Sequence, residues 1–155
     1  MTQADVDDAL EGFGTVQRCA VLATGLGWTA DAMLLTAPAY LVPLLQARYE
    51  LAQSVADSLA AVSFVGMLLG GLVWGLLADS YGRRACWYAS NALAALAGLA
   101  CAATPHDNVV IFFVLARTLV GIGLAGTNLG FALAAELLPP ALRGRALVLF
   151  ELSFM

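Results

Sequence analysis

The chain has 155 residues, of which 61% are hydrophobic and 12% charged, with a formal net charge of -4 and a mean hydropathy of +0.85. An average soluble domain is about half apolar and about a quarter charged, so this composition argues against a small water-soluble fold. All seven basic residues are arginines, and the net charge comes largely from an acidic head (Asp5, Asp7, Asp8, Glu11), so charge alone points to no nucleic-acid partner.

Residues 1–17 read as a polar cytoplasmic tail, with a short amphipathic turn over Val6–Leu10. They lack the basic n-region of a secretory signal. Arg18 marks a membrane edge, and residues 18–155 read as a transmembrane bundle. The first span covers about 19–45, with Asp31 well inside it and Pro38 and Pro43 toward its far end, where a kink or early termination is expected. A polar loop follows from Arg48 to Asp57. The second span, about 55–78, carries Gly66/Gly70 and Gly71/Gly75, each pair four residues apart. That spacing lets helices approach closely in lipid, although glycine is also simply common in membrane helices.

Asp79, Gly82, Arg83 and Arg84 then form a tight basic loop. The third span, about 85–103, opens with Trp87 and Tyr88 as expected interfacial anchors. An outer turn at 104–108 holds His106, read as a solvated loop residue rather than a proton carrier. The fourth span, about 109–138, contains Arg117 and Glu136 and ends at Pro139-Pro140. Arg143-Gly144-Arg145 forms a second basic loop, and a fifth helix is expected over 141–155. Spans of this length suit an all-α polytopic membrane bundle, since a helix needs about 20 apolar residues to cross and strands need alternation. Arg18, Arg83, Arg84, Arg143 and Arg145 fall on one side and Arg48 on the other, which places the N-terminus in the cytoplasm.

The chemistry sits in the charges inside the spans, which are costly there and mark a polar pathway or a paired partner. Asp31 lies thirteen residues past Arg18 and Arg117 nine past Asn108. These offsets correspond to roughly 20 Å from the inner edge and roughly 14 Å from the outer one. In a core about 30 Å thick the depths agree, so the two are expected to face each other. Such a pair either couples protonation to conformation or is a static ion pair that fixes helix register. Thr24, Trp28, Asp31 and Leu35 share one helical face, as do Arg117, Gly121, Leu124 and Asn128. Trp28 and Asn128 are candidate substrate contacts, with packing the alternative for Trp28. Asp79 with Arg83 and Arg84, and Glu136 with Arg143 and Arg145, form either an inner-surface gating network or plain solvated charge. Cys19, Cys86 and Cys101 lie within apolar runs without metal spacing and read as small buried thiols. No nucleotide-cradling loop, metal cluster or nucleophile–base set suggests an enzyme, and no cofactor is expected.

Gly75-x-x-x-Asp79-x-x-Gly82-Arg83-Arg84 resembles the signature loop between helices two and three of the major facilitator superfamily. Arg117-x-x-x-Gly121-x-Gly123 is similar to its fourth-helix motif. Glu136-Leu-Leu-Pro139 with Arg143-Gly144 is similar to the motif closing helix four in its sugar-porter and related branches. Val6 to Glu11, Gly12-Phe-Gly14, Gln17, Gly27 to Met33 and Phe64 to Met67 resemble the synaptic-vesicle-2-related branch, which includes metabolite:proton symporters. The resemblance implies twelve helices in two pseudo-symmetric halves, with a small organic solute bound between them and moved by alternating access. It implies proton coupling at Asp31 and Arg117, with the proton as coupling ion. It also implies an inner gating network of Gly75, Asp79, Gly82, Arg83, Arg84, Glu136 and Arg143. Two departures stand out: Ser80 replaces the usual basic residue after the aspartate, and the chain stops within helix five. A C-terminal half is therefore expected to be needed to complete the cavity, and the chain reads as a fragment, a truncated product or a piece that assembles with something else. The other reading is a non-transporting membrane scaffold of the synaptic-vesicle-2 type.

Overall fold

A computed structural model describes residues 15–103 and 109–138, together with 144 and 148. The tail before Thr15, the turn holding His106, the basic residues Arg143 and Arg145, the Arg18 side chain and almost all of the expected fifth helix lie outside the described residues. Among the described residues the helices are α1 (Thr15–Tyr49), α2 (Gln53–Tyr81), α3 (Arg83–Ala102), α4 (Val109–Ala125) and α5 (Asn128–Leu137). Among the described residues four segments are long and apolar enough to cross a membrane: Val21–Tyr49, Gln53–Tyr81, Arg83–Ala102 and Val109–Glu136. The protein is an integral, multi-pass helical bundle.

Several boundaries differ from those expected. α1 begins at Thr15, inside the stretch assigned to the tail, and runs through Pro38 and Pro43 instead of stopping there. At 35 residues it is roughly 50 Å long and overreaches a hydrocarbon core of about 30 Å. The loop expected over Arg48–Asp57 shrinks to Glu50–Ala52. The turn closes because Glu50 takes a left-handed φ of 49° and the Leu51 amide donates back to the Gln46 carbonyl at 3.3 Å, a Schellman-type end.

Between α2 and α3 stands one residue, Gly82, at φ 88° and ψ 142°. Its amide closes α2 on the Ala78 carbonyl and its carbonyl opens α3 by accepting from the Cys86 amide. A side chain is strained at such dihedrals. Gly82→Ala is expected to lower stability by about 1–3 kcal/mol. Thermal unfolding in detergent checks this, and an unchanged midpoint would contradict the need for glycine there.

Many small residues of the bundle face inward and many large ones outward. Ala56, Ser63, Gly66, Gly70, Ala94, Ala97, Ala116, Gly121 and Gly123 are buried, while Leu22, Leu26, Leu68, Leu72, Leu76, Leu96, Leu99 and Leu115 are exposed. In lipid the large side chains lose nothing by facing outward, whereas small ones let backbones touch. α4 is the central helix, packed against α2 on one side and α3 on the other, with α1 against α2 and α5. A Cβ on Gly66 would stand 2.2 Å from the Thr118 carbonyl oxygen, and one on Gly70 2.6 Å from that of Ile122. Gly66 and Gly70 are thus true contact points. Gly71 and Gly75 meet nothing within 4 Å, so the second pair does not pack within these helices. Trp87 is not an outward anchor either: it is half-buried, its indole lying where a Cβ on Gly130 would fall, whereas Tyr88 is exposed. Cys86 is buried and Cys101 half-buried, but Cys19 is exposed, contrary to expectation.

Candidate functional site

The site is built where α1 crosses the junction of α4 and α5. Asp31 is 8% exposed and Arg117 2% exposed, so both are removed from the surface. They do not form an ion pair; among the described residues the only one within 4 Å joins Arg83 to Glu136. Arg117 Nη1 instead donates to the Leu34 carbonyl oxygen at 2.8 Å, one turn along α1 from Asp31. Its guanidinium lies 5.3 Å from the centroid of Phe113, four residues earlier on α4, and within electrostatic reach of Cys101 on α3. Among the described residues Arg117 Nε has no hydrogen-bond partner.

The sequence explains this choice. In a regular helix the Leu34 carbonyl accepts from the amide of residue 38. Residue 38 is Pro38, buried and without an N–H, so that carbonyl is left over inside the bundle. An unsatisfied carbonyl in lipid costs several kcal/mol, and a buried guanidinium needs acceptors, so each satisfies the other. Pro38→Ala returns the amide and withdraws the acceptor from Arg117. Its stabilising effect is expected to fall short of that of Pro43→Ala by about 1.5–3 kcal/mol. Paired chemical unfolding of the two variants checks this; equal gains would contradict the account.

The opposing wall comes from a break in the fourth span. The expected single helix over 109–138 is interrupted at Gly126-Thr127, where the chain tightens to i→i+3 bonding: Gly126 N–H to Gly123 O, Thr127 to Leu124, Leu129 to Gly126 and Gly130 to Thr127. Thr127 is 2% exposed and its side chain is the group that reaches toward the Asp31 carboxyl. Among the described residues its hydroxyl makes no bond of full hydrogen-bond geometry. One turn on, Phe131 stacks obliquely on Trp28 of α1, with ring centroids 5.9 Å apart. Asn91 of α3 reaches the same region of α1, its Oδ1 lying 3.5 Å from where a Cβ on Gly27 would be. Asn128 is exposed, and the break separates it from the face formed by Arg117, Gly121 and Leu124. Gly121 on that face is pressed against the Ser63 carbonyl of α2. Thr24 is buried and Trp28 and Leu35 are half-buried, so the α1 face carrying Asp31 does turn inward.

At the Gly82 end, Arg83 binds Glu136 by a short Nη1–Oε1 contact that ties the start of α3 to α5. Both side chains are about half exposed, so the pair itself adds little stability. They edge an open cleft of about 630 Å3, lined also by Tyr81, Arg84, Tyr88 and Leu133. Asp79 and Arg84 are exposed and take part in no ion pair among the described residues, and Gly75 faces open space. Arg143 lies outside the described residues. Among the described residues no cluster of three or more metal-ligating side chains occurs. Thr127, Phe113, Phe131 and the Leu34 carbonyl escaped the sequence reading. The signals were there: a Gly-Thr-Asn triplet inside an apolar run, an aromatic one turn before Arg117, and a proline four residues after Leu34.

Residues 19–155 match the family model described as the Major Facilitator Superfamily. The chain belongs to that superfamily. As a superfamily member it is similar to the synaptic vesicle 2-related protein of Xenopus laevis, 34% identical over 95% of this chain and 27% of that protein. It resembles the organic cation/carnitine transporter 7 of Arabidopsis thaliana, 31% identical over 97% of this chain and 30% of that protein. It also resembles the niacin transporter NiaP of Acinetobacter baylyi, 33% identical over 82% of this chain and 28% of that protein. The chain thus spans under a third of the length of these superfamily relatives.

Proposed function

We propose that the chain is part of a secondary active transporter that moves a small organic solute by alternating access, coupled to protons through Asp31. The observation that carries this reading is a carboxylate 8% exposed in the middle of a membrane span, on a helix face that also presents Trp28 and touches a broken fourth helix. A scaffold has no need of a charge there, since ionisable groups within spans are costly and mark transport paths. In this reading Asp31 exchanges its proton, and Arg117 is docked one turn away on the Leu34 carbonyl. Trp28 and Asn128 contact the solute, and the remainder of a two-halved bundle completes the cavity. Gly75, Asp79, Gly82, Arg83, Arg84, Glu136 and Arg143 form the inner gate, of which Arg83–Glu136 is the closed contact. The N-terminus faces the cytoplasm.

Niacin and carnitine, named for two of the relatives, are the first solutes to try. Uptake into vesicles by a polypeptide containing this chain is measured with and without an inward proton gradient. Accumulation driven by the gradient supports the reading. Binding without any gradient-driven accumulation favours the scaffold.

A further inference from the structure

The fourth membrane segment breaks at Gly126-Thr127, and the break leaves a carbonyl without its helical partner. In an unbroken helix the Ile122 carbonyl would accept from the Gly126 amide. Here the Gly126 amide goes to Gly123. The freed Ile122 oxygen is taken by the indole of Trp74 on α2, Nε1 to O 2.7 Å, a contact between residues 48 apart in sequence. The approach is enforced from two sides. Gly70, one turn before Trp74, lets α2 lie against this same carbonyl, since a Cβ there would stand 2.6 Å from it. Gly126 lets the break lie over Ser90 of α3 and beside the Trp74 ring, a Cβ there standing 2.2 Å from Ser90 Cβ and 3.2 Å from Trp74 Cδ1.

We infer that Trp74 is a positioning residue: by capturing the Ile122 carbonyl it fixes where the fourth helix breaks, and so sets Thr127 against Asp31 and Phe131 against Trp28. The physical reason is that the two alternatives compete for one acceptor. With the indole in place, the carbonyl is satisfied and the tightened turn is stable in lipid. Without it, the carbonyl can regain a partner only by drawing the Gly126 amide back and straightening the helix, which rotates everything after Gly126 relative to α1. Trp74 packs with Ala78 and Cys86, and Ala125 and Leu129 on either side of the break pack against that cluster. Its effect on Asp31 is transmitted through the backbone of residues 122–127. The inference goes beyond the transport reading and does not depend on it, because every test below is read on the resting chain.

A polypeptide of residues 1–155 supplies a clean probe, since Ile111 and Ile122 are the only isoleucines in that stretch. Carbonyl-13C isoleucine therefore gives two infrared bands, with Ile111 as internal reference. Trp74 is replaced by phenylalanine and, separately, by benzothienylalanine, which keeps the ring shape and lacks the N–H donor. The expected result is a shift of the Ile122 band alone, with a roughly tenfold change in hydrogen exchange confined to amides 126–130 and unchanged exchange over 113–121. The side-chain carboxyl resonance of Asp31, assigned by its loss in Asp31→Asn, is expected to move by more than its linewidth. Phenylalanine alone risks general loosening; the benzothienyl variant, folded by its unchanged melting midpoint, excludes that. An unmoved Ile122 band, faster exchange spread evenly along α4, or a stationary Asp31 resonance would each overturn the inference.

Discussion

Gly121→Ala is expected to part α2 from α4 and to cost about 3 kcal/mol or more, the upper end of what overpacking does to a core. A Cβ at Gly121 would stand 2.1 Å from the Ser63 carbonyl oxygen, 2.9 Å from the Met67 nitrogen and 3.0 Å from the Gly66 Cα. All three are backbone atoms, so no side chain can swing aside, and the helices must move. The central seam of the bundle would open, because α4 is the helix against which both α2 and α3 pack. Gly71→Ala and Gly75→Ala are the matched comparison. They lie on α2 at the same spacing as Gly66 and Gly70, but a Cβ at either meets nothing within 4 Å. Their effect is expected to stay within about 0.5 kcal/mol, as for substitutions away from packed features. Unfolding of the three variants in one detergent decides the matter, and equal losses would mean that glycine content, not contact, holds these helices.

The second large effect concerns Asp31. In a transport-competent polypeptide containing this chain, Asp31→Asn is expected to reduce gradient-driven accumulation by roughly 5–150-fold, the range spanned by typical coupling free energies of 1–3 kcal/mol. Exchange of solute down its own gradient should persist, because the neutral side chain retains the shape of the site and loses only the exchangeable proton. Asp31→Glu should recover part of the accumulation. The double variant Asp31→Asn with Arg117→Gln adds a second reading, since uphill transport at the wild-type level in that background would end the role given to both residues. The Leu34 dock gives this test an extra edge. Arg117 is held by a backbone carbonyl rather than by Asp31. Neutralising Asp31 is therefore expected to leave the fold intact, where breaking a buried ion pair would cost 3–5 kcal/mol.

Much of this was open to a reader of the sequence. Apolar runs of spanning length, with arginines between them, determined a helical membrane bundle, because in lipid every backbone group must be satisfied within the helix. The Gly82 turn was legible because one residue between two helices must take a conformation that favours glycine. So was the burial of Asp31 and Arg117, since a charge within a span turns away from the acyl chains. What the sequence could not settle was which groups meet. Depth counting matched Asp31 to Arg117, but depth is one coordinate and a hydrogen bond needs three. The guanidinium went to Leu34 because Pro38 had emptied that carbonyl. The fourth span broke at Gly126 because Trp74, far off in sequence, was placed to accept the consequence. Helices and their membrane setting follow from local composition and periodicity. The partner of each leftover carbonyl is decided by side chains from other helices, and only the packed bundle brings those within reach.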